Sequence, residues 1–120
     1  MLNLREGHSV YLYTRACDMR RGFDVLSRMV EEYFGKNVRA GGLYVFFSRR
    51  RDRAKMLYWD GDGYALWYKR LESGAFRVSS ESETEEITGV DLKLLLQGMD
   101  LKRIKFRKES EKGIAQKQAA

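Results

Sequence analysis

Four arginines fall within five positions, Arg49, Arg50, Arg51 and Arg53, with Asp52 among them. Guanidinium groups stay charged at neutral pH and do no covalent chemistry themselves. They hold anions, best of all the paired oxygens of phosphate and carboxylate. Lys55, Lys69 and Arg70 come close to this group once the flanking segments fold as strands. These seven residues are the candidates for contact with a nucleic-acid backbone. Like charges packed together repel unless an anion lies among them. A second basic pair, Arg20 and Arg21, precedes an amphipathic run that contains Asp24. These three residues are the candidates for a partner contact. The pair reads as a solvated helix face, with ion pairs contributing about 0.2–0.5 kcal/mol each, or as a grip on phosphate or on an acidic partner.

Catalysis finds less support. His8 is the only histidine and reads as an ordinary surface residue. Cys17 is the only cysteine and reads as a small packed thiol. No Ser–His or Cys–His pair can be assembled, and no glycine-rich phosphate loop follows a strand. Asp18, Asp24, Asp52, Asp60, Asp62, Asp91 and Asp100 could be imagined around a metal, but magnesium needs convergent oxygens in octahedral geometry. Asp60 and Asp62 belong to a D-G-D-G turn whose glycines already explain it. The expectation is a non-enzyme with no cofactor and no metal.

The residues that position the arginines form the most structured part of the chain. Leu43–Phe47, Ala54–Trp59 and Tyr64–Tyr68 are rich in aromatic and β-branched side chains, as strands prefer. Arg49–Arg53 and Asp60–Gly63 are the loops between them. A four-residue D-G-D-G loop sets Trp59 opposite Tyr64, Leu57 opposite Leu66 and Met56 opposite Trp67. A five-residue arginine loop sets Phe47 opposite Lys55, Phe46 opposite Met56 and Tyr44 opposite Tyr58. Alternation then places Leu43, Val45 and Phe47 with Leu57 and Trp59, and Tyr44 and Phe46 with Met56, Tyr58 and Trp67. Neither face is polar, so both need cover or one meets a partner. Tyr44, Tyr58 and Trp67 are core under a helix, or a stacking platform for bases if their face is open.

Ser9–Tyr13 alternates as a short strand. Asp18–Phe34 reads as the main helix, with Asp18 as N-cap, Gly35 as stop and a stripe of Met19, Phe23, Leu26, Val30, Tyr33 and Phe34. Gly22 in its first turn suggests close backbone approach, since glycine there costs about 1 kcal/mol against alanine. Phe76–Ser79 reads as a further strand, with Phe76 and Val78 on the Trp67 face. Residues 80–86 form an exposed acidic loop. A second helix starts at Thr88, with Thr88 and Asp91 as a capping box, Ile87 and Leu92 as a staple, and Gly98 at its end. The fold class is α+β: an antiparallel meander of four or five strands with two packed helices.

Several of these segments together resemble a known family. They are Asp18-Met19-Arg20-Arg21-Gly22-Phe23-Asp24, Asp52-Arg53, Leu57-Tyr58-Trp59-Asp60-Gly61-Asp62-Gly63, and the stretch from Leu66 to Phe76. In this order and spacing they are similar to the small accessory protein, TnpB of the second reading frame, of IS66-type insertion sequences. The resemblance runs from about Val10 to about Asp100. Ser48 and Arg51 stand where that family often has glycine. The resemblance implies a role in assisting transposition beside a separate transposase, and it supplies no catalytic residues. The expected partners are therefore DNA and the element's transposase. The competing class is a protein-interaction adaptor for the transposase without DNA contact.

Composition agrees with a nucleic-acid partner. The 120 residues carry a formal net charge of +6, with 43% hydrophobic and 33% charged side chains. These values suit one globular domain. Residues 41–80 hold eight basic against four acidic side chains, whereas residues 81–120 balance eight against eight. The domain is expected to span residues 1–108, with residues 109–120 a disordered tail. One cysteine permits no internal disulfide, no run approaches the roughly 20 apolar residues of a membrane span, and no signal peptide opens the chain. A cytoplasmic location follows as the expectation, with no membrane contact.

Overall fold

A computed structural model describes residues 9–107 and residue 109. His8, and the expected tail apart from Glu109, lie outside them. Five strands, β1 (Ser9–Ala16), β2 (Leu43–Phe47), β3 (Arg53–Trp59), β4 (Tyr64–Arg70) and β5 (Thr84–Thr88), form one sheet in the order β4-β3-β2-β1-β5. The α+β class holds, and β2-β3-β4 is the antiparallel meander that the loops imply. β1 joins it in parallel with β2, because the intervening helical segment crosses over one face and returns the chain in the same direction. The sheet is therefore mixed.

The β3–β4 pairing follows the D-G-D-G turn, with Trp59 opposite Tyr64 and Met56 opposite Trp67. The β2–β3 pairing is displaced by one residue from expectation: Phe47 faces Ala54, Phe46 faces Lys55 and Tyr44 faces Leu57. The cause lies in the arginine loop. Ser48 N–H donates to the Arg53 carbonyl at 3.0 Å, so the loop holds four residues rather than five. Arg51 N–H turns back to the Ser48 carbonyl at 2.9 Å, with Arg51 in the left-handed region at φ 61°. That conformation is one that favours glycine. A one-residue slip moves every β2 side chain to the other face. Leu43, Val45 and Phe47 thus join Ala54 and Met56, while Tyr44 and Phe46 join Leu57.

Both faces are covered. On one, Val10, Leu12, Val45, Phe47 and Met56 pack under α2 (Gly89–Leu96), a further helix α3 (residues 101–107) and the irregular segment holding Phe76 and Val78. On the other, Tyr13, Tyr44, Phe46 and Leu57 pack under α1 (Phe23–Met29), the π-helical turn Val30–Phe34 and the 3₁₀ turn Val38–Ala40. Tyr44 is 1% exposed, so it is core rather than a stacking platform; Tyr58 and Trp67 are half-buried against the first cluster.

Three sequence readings change. Phe76–Ser79 buries its apolar side chains on the Trp67 face but is not a strand. The fifth strand is instead the acidic Thr84–Thr88, antiparallel to β1, within what reads as a loop. The main helix begins at Phe23, not Asp18. The Asp18 carboxylate accepts the Arg20 N–H at 2.9 Å, a local turn that competes with helix. Gly22 is the extended N-cap, and a Cβ there would meet nothing within 4 Å, so no close approach explains it. Phe23 is 46% exposed, and Met29 takes its place in the buried stripe. The capping box at Thr88 and Asp91 forms as expected, and Gly35 and Gly98 close their helices with positive φ.

Candidate nucleic-acid interface

The β2–β3 loop projects from one end of the sheet. Cys17 N–H donates to the Phe47 carbonyl at 2.9 Å, which brings the end of β1 and the following Asp18–Gly22 turn against that same end. The Lys55 ammonium, on a side chain buried on the α1 face, donates to the Arg21 carbonyl at 2.8 Å and lies 4.9 Å from the Tyr68 ring centre. Turn and loop together enclose a cleft of about 330 Å³, with Cys17 and Met19 on one side and Arg49, Arg50 and Arg53 on the other. The turn that carries Arg20 and Arg21 is thus packed against the same sheet end as the arginine loop, with the Arg21 guanidinium donating to the Met29 sulfur at 3.1 Å.

The candidate residues divide by their surroundings. Arg49 and Arg50 are exposed on the loop. Arg53 is half-buried and Arg70 exposed, and the two are direct cross-strand partners on the α1 face. Like charges placed so are mutually destabilising. Among the described residues, none of these four has a carboxylate within ion-pair range. Asp52, the acid in the loop, accepts the Ser48 hydroxyl at 3.0 Å. Lys69 lies on the opposite face, 6.0 Å from the Trp67 ring centre.

Arg51 and Lys55 have internal work. Arg51 donates from one guanidinium nitrogen to the Ser48 carbonyl and from the other to the Thr14 carbonyl, both at 2.8 Å. Its own carbonyl accepts the Phe76 N–H at 2.7 Å. Lys55 holds the Arg21 turn as described. Among the described residues Arg49, Arg50, Arg53 and Arg70 thus lack a carboxylate partner, Arg53 donating to the Tyr68 hydroxyl at 3.5 Å, while Arg51 and Lys55 belong to the frame that shapes the cleft.

In the turn, Arg20 pairs with Asp18 at 2.7 Å, the Arg20 side chain almost fully exposed and that of Asp18 a little over a third. Hydrogen bonds from the Arg20 side chain, then from its backbone, hold the Asp18 carboxyl down at about 2. Arg21 and Asp24 are exposed. Burial pushes the Cys17 thiol up, against the opposing charge of Arg21, so it remains a thiol. Among the described residues no group of three or more metal-ligating side chains converges, and no helix is long and apolar enough to cross a membrane. Sequence reading passed over Arg15 and Arg77, which line a second cleft with Arg51. Nothing local marks them, because only β1–β2 pairing and the fold of the segment after β4 bring them to the loop.

These features define an α+β domain that gathers arginines at one end of its sheet. The profile of the family described as IS66 Orf2 like protein matches residues 8–106, and the chain belongs to that insertion-sequence family. Two relatives from Sinorhizobium fredii strain NGR234 share most of its length. The chain is 31% identical to uncharacterized protein y4jC over 106 residues, 88% of this chain and 91% of that one. It is 36% identical to uncharacterized protein y4hO over 101 residues, 83% of this chain and 88% of that one. No solved structure matches it significantly.

Proposed function

We propose that the protein is a non-catalytic transposition accessory factor that binds the DNA backbone through the cleft face and assists the element's separate transposase in the cytoplasm. The single observation behind this reading is the set of Arg49, Arg50, Arg53 and Arg70 around one end of the sheet without acidic partners among the described residues. Two of them face each other across β3 and β4, an arrangement that an intervening phosphate relieves. Phosphate contacts orient a protein on DNA without reading its sequence, so binding to element ends and to random duplex is expected to be similar.

Salt-dependent binding to random duplex tests the reading. Each neutralised phosphate contributes a slope of about −0.9 in log K against log salt. Arg49→Ala with Arg50→Ala should flatten that slope by roughly 2 and weaken all duplexes alike. A flat slope in the unaltered protein refutes DNA contact and favours the adaptor reading, in which the same arginines meet an acidic surface of the transposase. Metal-dependent nicking lost in Asp60→Asn or Asp62→Asn would refute the non-catalytic reading.

A further inference from the structure

On the opposite face of the same sheet end lies a second cleft of about 440 Å³, between the end of β1, the loop and the segment around Phe76 and Val78. Arg15, Arg51 and Arg77 line it together with Asp100. We propose that this cleft is a second phosphate-binding site, in which Arg15, Arg51 and Arg77 take one phosphate group.

Two of the three guanidinium groups are fixed in place before any ligand arrives. Arg15 donates to the Ser80 and Glu81 carbonyls at 3.0 and 2.9 Å. Arg51 donates to the Ser48 and Thr14 carbonyls at 2.8 Å each. Carbonyls orient a guanidinium without cancelling its charge, and each group keeps further N–H donors beyond the two it spends. Burial, and then the charge of Arg15, weaken the hold of Arg51 on its proton, so the two cations stand close enough to repel. Arg77 is exposed, and its backbone is tied down because its carbonyl accepts the Leu101 N–H at 2.8 Å. Its side chain is free to swing onto a ligand.

Asp100, the acid in the lining, offsets only one of the three positive charges. Asp100 accepts the Lys102 N–H at 3.0 Å at the start of α3, and no described carboxylate lies within ion-pair range of the three arginines. Three guanidinium groups match an anion that offers several oxygens in different directions, which is phosphate rather than carboxylate. The volume admits the phosphate together with part of whatever carries it. The site does not depend on the loop-face reading, since Arg49 and Arg50 belong to the other cleft.

The test follows the arginine side-chain Nε signals of the full chain by NMR, first with inorganic phosphate and then with a short random duplex. Phosphate should shift the Arg15 and Arg77 signals. Arg77→Ala, at an exposed position, should keep the fold and weaken phosphate binding about tenfold, while Arg49→Ala with Arg50→Ala should leave it intact. If duplex moves the same two signals, the site takes backbone phosphates; if only phosphate moves them, it takes a small phosphorylated ligand. Arg15 and Arg77 signals that do not move, or a phosphate response that survives Arg77→Ala, would overturn the proposal.

Discussion

Truncating Arg51 should unfold the protein more readily than any other change in the arginine loop, although the sequence presents it as one of four equivalent cations. Its guanidinium makes two bonds at 2.8 Å, to the Ser48 and Thr14 carbonyls, and so joins the loop to β1. A hydrogen bond involving a charged group contributes about 1.5–3 kcal/mol. The site is half-buried, so solvent screening places the pair nearer the lower end. Arg51→Ala is then expected to cost about 2–4 kcal/mol. A domain of this size loses roughly 4 °C of Tm per kcal/mol, so the fall should be about 8–16 °C by calorimetry. The φ of 61° adds a second arm. Arg51→Gly loses the same two bonds but relieves backbone strain of about 1 kcal/mol, so it should melt above Arg51→Ala. Arg49→Ala and Arg50→Ala, at exposed positions, should each stay within about 0.5 kcal/mol of the unaltered protein. An Arg51→Ala protein with unchanged Tm and lost DNA binding would refute this division of labour.

Arg53→Glu replaces a like-charge cross-strand pair with an opposite one facing Arg70. It should stabilise the fold by about 0.2–1 kcal/mol in denaturant titration while weakening duplex binding. Lys55→Met leaves the Arg21 carbonyl without its 2.8 Å donor and should cost about 1–3 kcal/mol, with faster amide exchange confined to the Asp18–Gly22 turn. The phenols of Tyr13 and Tyr44 are pushed up from 10.0 to about 12, chiefly by burial, with Tyr33 next for Tyr13 and Tyr11 next for Tyr44. Their folded pKa lies above the unfolded one, so their contribution is complete below pH 10 and is lost as pH rises through about 12. Phenolate absorbance should therefore show a late step near pH 12 that coincides with alkaline unfolding and shrinks in Tyr44→Phe.

What the sequence makes legible is set by how local the interaction is. The D-G-D-G turn carries its own geometry, and the β3–β4 register follows from it. The capping box at Thr88 and Asp91 and the glycine stops need only neighbouring residues. The β2–β3 register was one residue off because counting loop residues cannot show that Ser48 pairs with Arg53 and that Arg51 takes positive φ. β5 is not legible because an edge strand can carry charges outward, and Thr84–Thr88 has a single buried apolar residue, Ile87. At the site, the clustering of arginines was readable but their separate roles were not. Thr14 and Arg51 are 37 residues apart, and Arg21 and Lys55 are 34 apart. Only the tertiary fold brings those pairs together.

The same distance effect changes how the Arg20–Arg21 turn must be understood. In the sequence it stands far from the arginine loop and invites a separate role as a protein contact. In the fold, Lys55 holds the Arg21 carbonyl, Cys17 holds Phe47, and Met19 shares a cleft with Arg49, Arg50 and Arg53. A duplex lying against the loop would lie beside this turn as well. Arg20 has Asp18 as a local partner, whereas the loop arginines have no carboxylate in range among the described residues. Two independent binding surfaces would let DNA and a protein partner occupy the molecule together. A turn packed beside the loop makes a partner that uses Arg20 and Arg21 either a competitor of DNA or a neighbour that must fit beside it.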